Sequence, residues 1–464
     1  MSMKKTLVIT AIAAAVSTSA VGVVSAAQAQ QIVATQQSLI SINDNSVNVR
    51  SVTLNGQTLL SLRDLGTAAG IYFEENGRGI TAIYSEHMAA LSGSSKEVSV
   101  DGSVIQLQNA IENVNNSYYI TLEDFASAFG AETTVDSAGQ VSINTVQLVK
   151  DINRTVWIDS SRLLASQITD DGRTDYVVDA ATGAYTELLK STDASDLVVA
   201  PNGQKAAYTL ETGEVYTVDL STKQASVVSS DQSIKPELVW AADSSAIYFL
   251  QGDKGSIISK LNLADGAITN LLDDKVDYKA NLNVSADGKQ FYYTVTKPGA
   301  VTADANKPVE EDDVAIDMTG TEPQIFTYDS SVKDSKPVGL TTAADDKIFV
   351  GTAADGSKAF YVSIEEGKPS SLVSIAKDKT AAKLVDDKDV LQAVMAGSKI
   401  YAVVDNNDSE LVYEIDTATG AKTELYTIPS SVTDLLAASG TPVAVVADGQ
   451  VSVNQNGQWK KVTQ

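Results

Sequence analysis

The sequence predicts a mainly β protein, in which a small α+β domain precedes a β-propeller of about seven four-stranded blades. Three observations lead there. Residues 30–147 contain two similar halves, sixty residues apart. Residues 151–464 repeat every 40–45 residues or so, each unit an apolar run, a tight Gly/Asp/Ser turn and an aromatic run. Residues 1–29 read as a targeting segment that belongs to neither domain.

In that segment, Lys4 and Lys5 precede an uncharged run of small apolar residues, and Ala27-Gln28-Ala29 follows as an A-x-A cleavage site. The expectation is an exported chain, secreted or held at the cell surface, cleaved near Ala29. No Cys follows the apolar run, so a lipid anchor is not expected. No later stretch is apolar for long enough to span a bilayer.

In the first domain, Ser61, Asp64 and Leu65 align with Thr121, Asp124 and Phe125. A Ser or Thr three residues before an Asp is an N-cap with an acid in the first helical turn. Leu62, Leu65, Ala68 and Ala69 share one helical face, as do Leu122, Phe125, Ala126 and Phe129. Gly70 and Gly130 are the helix stops. Alternating runs at 71–73, 80–83, 132–135 and 141–143 read as strands. Asn55-Gly56 and Asp101-Gly102 are expected to turn the hairpin that opens each half.

The second region takes its register from turns at Ser160, Asn202-Gly203, Asp243-Ser244, Asp287-Gly288, Asp355-Gly356, Gly397 and Ser439-Gly440. Second strands follow, among them the runs at 206–208, 246–249, 291–293, 359–362 and 400–403. Third strands end in Asp at 179, 219, 329 and 416. The Tyr, Phe and Val of the second strands read as packing between blades rather than as a sugar-stacking surface. From Asp287 to Asp355 the spacing stretches to 68 residues. The extra segment, near 297–324, falls between the second and third strands of the fourth blade. It is expected to form a long acidic loop on the face that carries the links between blades.

Composition excludes several functions. Of 464 residues, 34 are basic, 59 are acidic, one is His and none is Cys. Disulfides, thiolate metal sites and a Cys nucleophile are therefore excluded, and so is any centre that needs several His. A net charge of −25 repels phosphate backbones, so nucleic acid is not an expected partner. His87, between the two halves, reads as a surface or boundary residue. Within the long loop, Glu310, Glu311, Asp312 and Asp313 are the candidate contact or metal site, with calcium the suitable cation but without a calcium spacing motif. The run 170–175 begins like a calcium loop but has Ala181 where the twelfth position needs Glu, so it reads as a turn between strands. The run 405–410 is likewise a turn first.

The segment 59–83 and its echo at 118–143 resemble the copper amine oxidase N-terminal-like, or stalk, domain of exported proteins in Gram-positive bacteria. The usual family helix begins with a more basic, Pro-containing stretch, which this chain lacks. The resemblance does not imply oxidase chemistry. That would need three His copper ligands and a modifiable Tyr in a separate domain, and the chain has one His. The "ADGK" turns and the third-strand Asp with its following Thr-Gly resemble TolB-like and WD-repeat-type propellers. Together these features favour a non-catalytic binding or scaffolding protein of the cell exterior, with no catalytic residue and no cofactor. Its expected partner is an extracellular protein or a cell-wall polymer. The alternative is a propeller hydrolase or lyase acting on extracellular polysaccharide, with carboxylates gathered from several blades.

Overall fold

The structure, a computed structural model, describes residues 34–43, 45–76, 79–84, 87–135, 139–145, 148–302 and 315–464. The targeting segment and Glu310, Glu311, Asp312 and Asp313 lie outside these residues. The chain divides into two compact units between Gln147 and Leu148.

The first unit combines a seven-stranded sheet, a five-stranded sheet and two short helices. Helix α1 (Leu62–Ala68) starts at Ser61, whose hydroxyl accepts from Asp64 N at 3.3 Å. Helix α2 (Leu122–Phe129) starts at Thr121, which accepts from Asp124 N at 3.2 Å, and Gly130 ends it with φ +62°. The two helix-start acids do more than meet a helix dipole. Arg50 forks onto Asp64 at 2.7 and 2.8 Å, and this bonding holds the Asp64 carboxyl below its usual range. Buried Asp124 accepts from Gln108 N at 2.7 Å and Asn109 N at 3.0 Å. Each acid thus ties its helix to the chain some fifteen residues before it. Leu65, Phe125 and Phe129 are fully buried in the core that both sheets share with the helices.

Asn55 and Gly56 turn the first hairpin, both at positive φ. The second half differs from expectation. Asn115-Asn116 turns its opening hairpin, between Glu112–Val114 and Ser117–Ile120. Asp101-Gly102 instead joins Glu97–Val100 to Ser103–Gln106 in the five-stranded sheet. An Asn enters the left-handed region more readily than other residues with a side chain, so an Asn pair can turn a hairpin that a search for Asn-Gly or Asp-Gly passes over.

The second unit is a β-propeller of seven four-stranded antiparallel sheets, each built from consecutive strands. Blade 1 runs from Arg154 and blade 7 ends at Lys461. The fourth blade interrupts this order. A two-stranded hairpin, Ala300–Thr302 with Ala315–Asp317, stands between its second and third strands, where the long segment was expected. Each blade's second strand is buried on both faces, because alternate side chains point to opposite neighbours. In Ala246–Gln251, Ile247 and Phe249 pack toward blade 2, while Ala246, Tyr248 and Leu250 pack toward blade 4. Seven hydrophobic clusters arise this way among the described residues, one between each pair of neighbouring blades around the ring.

No blade mixes strands from the two ends of the unit. The ring closes between blades 7 and 1 through Trp157, Leu163, Val451 and Val462, with Val149 in the same cluster. Gln464 N donates to Val149 O at 2.8 Å, and Asp151 N donates to Gln464 O at 3.2 Å. Leu148 and Val149 are buried in the propeller.

Candidate functional site

From blade 2 to blade 7 the first strand of each blade packs against the first strand of the next, Arg154–Trp157 meets Val432–Leu436, and Arg154 reaches blade 2 through Leu197 O. Alternation along these strands makes two layers at the centre. One layer holds Arg154, Asp196, Glu237, Asn281, Phe349, Gln392 and Asp434; two residues on, Val156, Val198, Val239, Asn283, Gly351, Val394 and Leu436 form the other. The residues between them, such as Thr155, Leu197, Leu238, Leu282 and Leu435, are buried.

The polar layer is where catalytic carboxylates would have to converge, so what its members hold decides the chemistry. Arg154 Nη1 donates to Leu197 O of blade 2 at 3.1 Å. Gln392 Oε1 accepts from Leu435 N of blade 7 at 2.7 Å. Glu237 accepts from the backbone N–H groups of Leu282 and Asn281 of blade 4. In all three the side chain reaches forward to the main chain of the next blade. In blade 4 the donating N–H groups lie in a bulge of the first strand, and in blade 7 the donating N–H follows one. A bulge leaves main-chain groups without a partner in the sheet, and the neighbour's side chain supplies one. Tryptophans three positions on complete the pattern backward. Trp240 Nε1 donates to Val198 O at 2.8 Å, and Trp157 Nε1 donates to Leu436 O at 3.3 Å.

Burial pushes the Glu237 carboxyl up to about 7, against the opposing pull of its two N–H donors. Asp196 lies between two guanidinium groups, with Arg154 Nε and Arg173 Nη1 each at 3.4 Å. Arg173 Nε also pairs with Asp175 Oδ2 at 3.1 Å, and Ser166 Oγ donates to Asp175 Oδ1 at 2.6 Å. Asp175 is fully buried in the third strand of blade 1, with its carboxyl raised by burial. The run 170–175 is thus a hairpin turn followed by a structural ion pair, and only its first residues belong to the turn.

Beside the apolar layer, a cavity of about 500 Å³ opens among blades 4, 5 and 6, lined by residues including Asn283, Phe349, Gly351 and Met395. Gly351 stands there where five of the other blades carry Val or Leu: its φ is +155°, and a Cβ there would lie 2.7 Å from Met395 Sδ. No charged side chain lines it.

Three links between blades fold around lysines whose side chains are shielded from solvent. Lys235 Nζ donates to Gly213 O, Ser233 O and Asp231 Oδ1, each at 2.8 Å. Lys279 Nζ donates to Ser256 O and Asp274 Oδ1, each at 2.7 Å. Lys347 Nζ donates to Ala343 O at 2.9 Å and Asp345 O at 2.6 Å. Sequence reasoning missed all three. Their trace is an Asp two to five residues before a Lys that itself leads into a first strand, at Asp231, Asp274 and Asp345.

The acidic residues Glu310 to Asp313 contribute nothing to this geometry, since they lie outside the described residues. Among the described residues no group of three or more His, Cys, Asp and Glu is placed to hold a metal ion. His87 begins the strand His87–Leu91 of the five-stranded sheet. No helix among the described residues is long and apolar enough to cross a membrane.

Residues 41–143 match the family described as copper amine oxidase N-terminal domain. The first unit carries this domain. It is the non-catalytic, stalk type of that domain. Comparison with curated proteins gives no match. Among solved structures, an oligogalacturonate lyase in complex with manganese is 14% identical, covering 71% of this chain and 94% of its own, with a TM-score of 0.46. TolB from Acinetobacter baumannii is 14% identical over 78% of this chain and 79% of its own, at 0.39. The propeller domain of the Trilobed protease from Pyrococcus furiosus is 11% identical over 69% of this chain and 97% of its own, at 0.45.

Proposed function

We propose that the chain is an exported binding or scaffolding protein of the cell exterior, whose propeller offers its surface to an extracellular protein or a wall polymer. One observation carries this reading. Four polar side chains of the inner ring are engaged in holding blade to blade: Arg154, Glu237 and Gln392 bond the main chain of the next blade, and Asp196 sits between two arginines. Glycoside hydrolysis and related acid–base chemistry need two carboxyl groups free to face one substrate. Of the layer's three carboxyl groups, those of Glu237 and Asp196 are bonded across blades. Exposed Asp434 accepts from its neighbour Thr433 Oγ1 at 3.0 Å, which leaves one carboxyl group without a cross-blade partner rather than two. The targeting segment at 1–29 and the stalk-type first unit support a place outside the membrane.

The test uses the tagged full chain without residues 1–29, incubated with isolated cell envelope and with soluble exported proteins. Retention of one envelope component, unchanged when the envelope is pre-treated to remove low-molecular-weight ligands, supports the reading. No retention, together with release of new reducing ends from a wall or plant polysaccharide, would replace it with the enzyme reading.

A further inference from the structure

Around the central channel the first strands fall into two arcs. In blades 1, 2 and 3 they pair with their second strands without a bulge. In blades 4, 5, 6 and 7 each is bulged, next to Ala280, Phe349, Val390 and Val432. Bulges re-aim side chains and gather beside active sites. The wall of the bulged arc is apolar. Val350, the bulged residue of blade 5, lines the cavity of about 500 Å³ together with Phe349, Val394 and Met395. One residue before the polar layer, Ile348 and Leu391 stand on the adjoining first strands of blades 5 and 6 and are 53% and 49% exposed. They carry the apolar wall on from the cavity toward the face that holds the links between blades.

Asp434 closes this arc. It follows the bulge of blade 7 and precedes Leu435, whose N–H holds Gln392 of blade 6. Its exposed carboxylate accepts from its neighbour Thr433, and no lysine or arginine pairs with it among the described residues. Arg154, next to it around the ring, leans away to Leu197 O and Asp196 of blade 2. What fits the arc is therefore a cation joined to an apolar group. With a net charge of −25 the chain repels polymers that bear phosphate or carboxylate, so a basic ligand is favoured over an acidic wall polymer. The apolar wall suits a hydrocarbon side chain, and sugar hydroxyls would be desolvated against it without a partner. The cavity has the volume of a small-ligand site, and Ile348 and Leu391 lie outside it. A ligand that covers both is longer than the cavity, as a stretch of peptide chain is.

We propose that the bulged arc of the channel binds a peptide segment of a partner protein, with an apolar side chain in the cavity and an adjacent lysine or arginine on Asp434. The inference rests on the binding reading above and chooses a basic protein over a wall polymer. The experiment is selection of short random peptides, displayed on phage, against the full chain without residues 1–29. The expected result is enrichment of peptides that carry Lys or Arg beside Leu, Ile or Phe. The most enriched peptide, made synthetically, should bind the parent more weakly as salt rises from about 0.05 to 0.5 M. Asp434→Asn should weaken it about ten-fold and remove most of that salt dependence. Val394→Phe, which fills the cavity, should weaken it similarly and keep the salt dependence. Ile348→Ser with Leu391→Ser changes two side chains that are already exposed, and replaces Val394→Phe if that variant loses the parent's thermal transition. No enrichment, enriched peptides without basic residues, or affinity unchanged by Asp434→Asn or by the apolar variants would overturn the proposal. The same variants tested on isolated envelope separate the two readings. Envelope retention by the parent alongside a failed peptide result removes this site and leaves the binding reading standing, and loss of both removes both.

Discussion

On one face of the propeller the chain turns on aspartates, and on the other, three consecutive links fold around lysines. Within each blade the first-to-second and third-to-fourth connections share one face, while the second-to-third connections and the links to the next blade share the opposite one. On the turn face, Asp219 Oδ1 accepts from Ser221 N at 3.0 Å and Thr222 N at 2.8 Å. Asp416 repeats this with Ala418 N at 3.2 Å and Thr419 N at 2.9 Å. The Thr222, Thr380 and Thr419 N–H groups hold Asp219, Asp378 and Asp416 below the usual carboxylate range. The hydroxyls of Ser245, Ser331 and Ser357 do the same for Asp243, Asp329 and Asp355. Each of these partners lies two or three residues away. On the link face, Lys235 and Lys279 gather carbonyls from a loop more than twenty residues upstream as well as from their own link. A turn aspartate is solvated and local; a link lysine is dry and joins two segments. The same repeat is therefore held by cheap, redundant bonds on one face and by a few costly ones on the other.

That difference sets the order of expected effects. Lys279→Met should be the most damaging change, because it strands the Asp274 carboxylate and the Ser256 and Val276 carbonyls without their donor. Removing one partner of a buried pair costs about 3–5 kcal/mol, which urea unfolding of the full chain would register. A loss below about 1 kcal/mol would mean that water reaches the link and that the two faces are alike.

Glu237→Gln should act in the opposite direction and depend on pH. With its carboxyl raised from 4.5 to about 7, the native state keeps a proton that the unfolded chain gives up. Stability therefore falls as pH rises through that window, and the loss is complete above it. The Gln variant should match the parent near pH 4 and exceed it near pH 8, by on the order of 2–3 kcal/mol. Parallel pH profiles would show that Glu237 is solvated and free to react.

Trp240→Phe removes the bond to Val198 O while keeping an aromatic ring between blades 2 and 3. The expected cost is about 1 kcal/mol, read in the same unfolding experiment. Asp219→Ala should shift the thermal transition least of the four, since its carboxylate bonds only within its own turn and reaches solvent. Its contribution is present above the ordinary carboxylate range and disappears as pH falls below it, so parent and variant should converge in acid.

The same contrast explains what the sequence made legible. The propeller could be read from it because turn aspartates and second-strand aromatics recur at fixed short distances. The helices of the first unit could be read because Ser61 and Thr121 cap within three residues. What escaped were partners set by the closed ring: Arg154 with Leu197, Gln392 with Leu435, and the lysines with loops of the preceding blade. Asp101-Gly102 misled because a strong turn signal says that a hairpin forms and does not say in which sheet. The inner polar layer was hidden for a further reason. Its members come from seven blades and share no residue type, so only closure of the ring brings them together.

The central claim is that this polar layer is a wall of the ring and not a reacting centre. The most direct measurement compares the parent chain with Glu237→Gln on isolated envelope and on a panel of extracellular polysaccharides, following retention and release of reducing or unsaturated ends in one assay. The account predicts equal retention by both proteins and no release by either. Release by the parent that Glu237→Gln abolishes would contradict it.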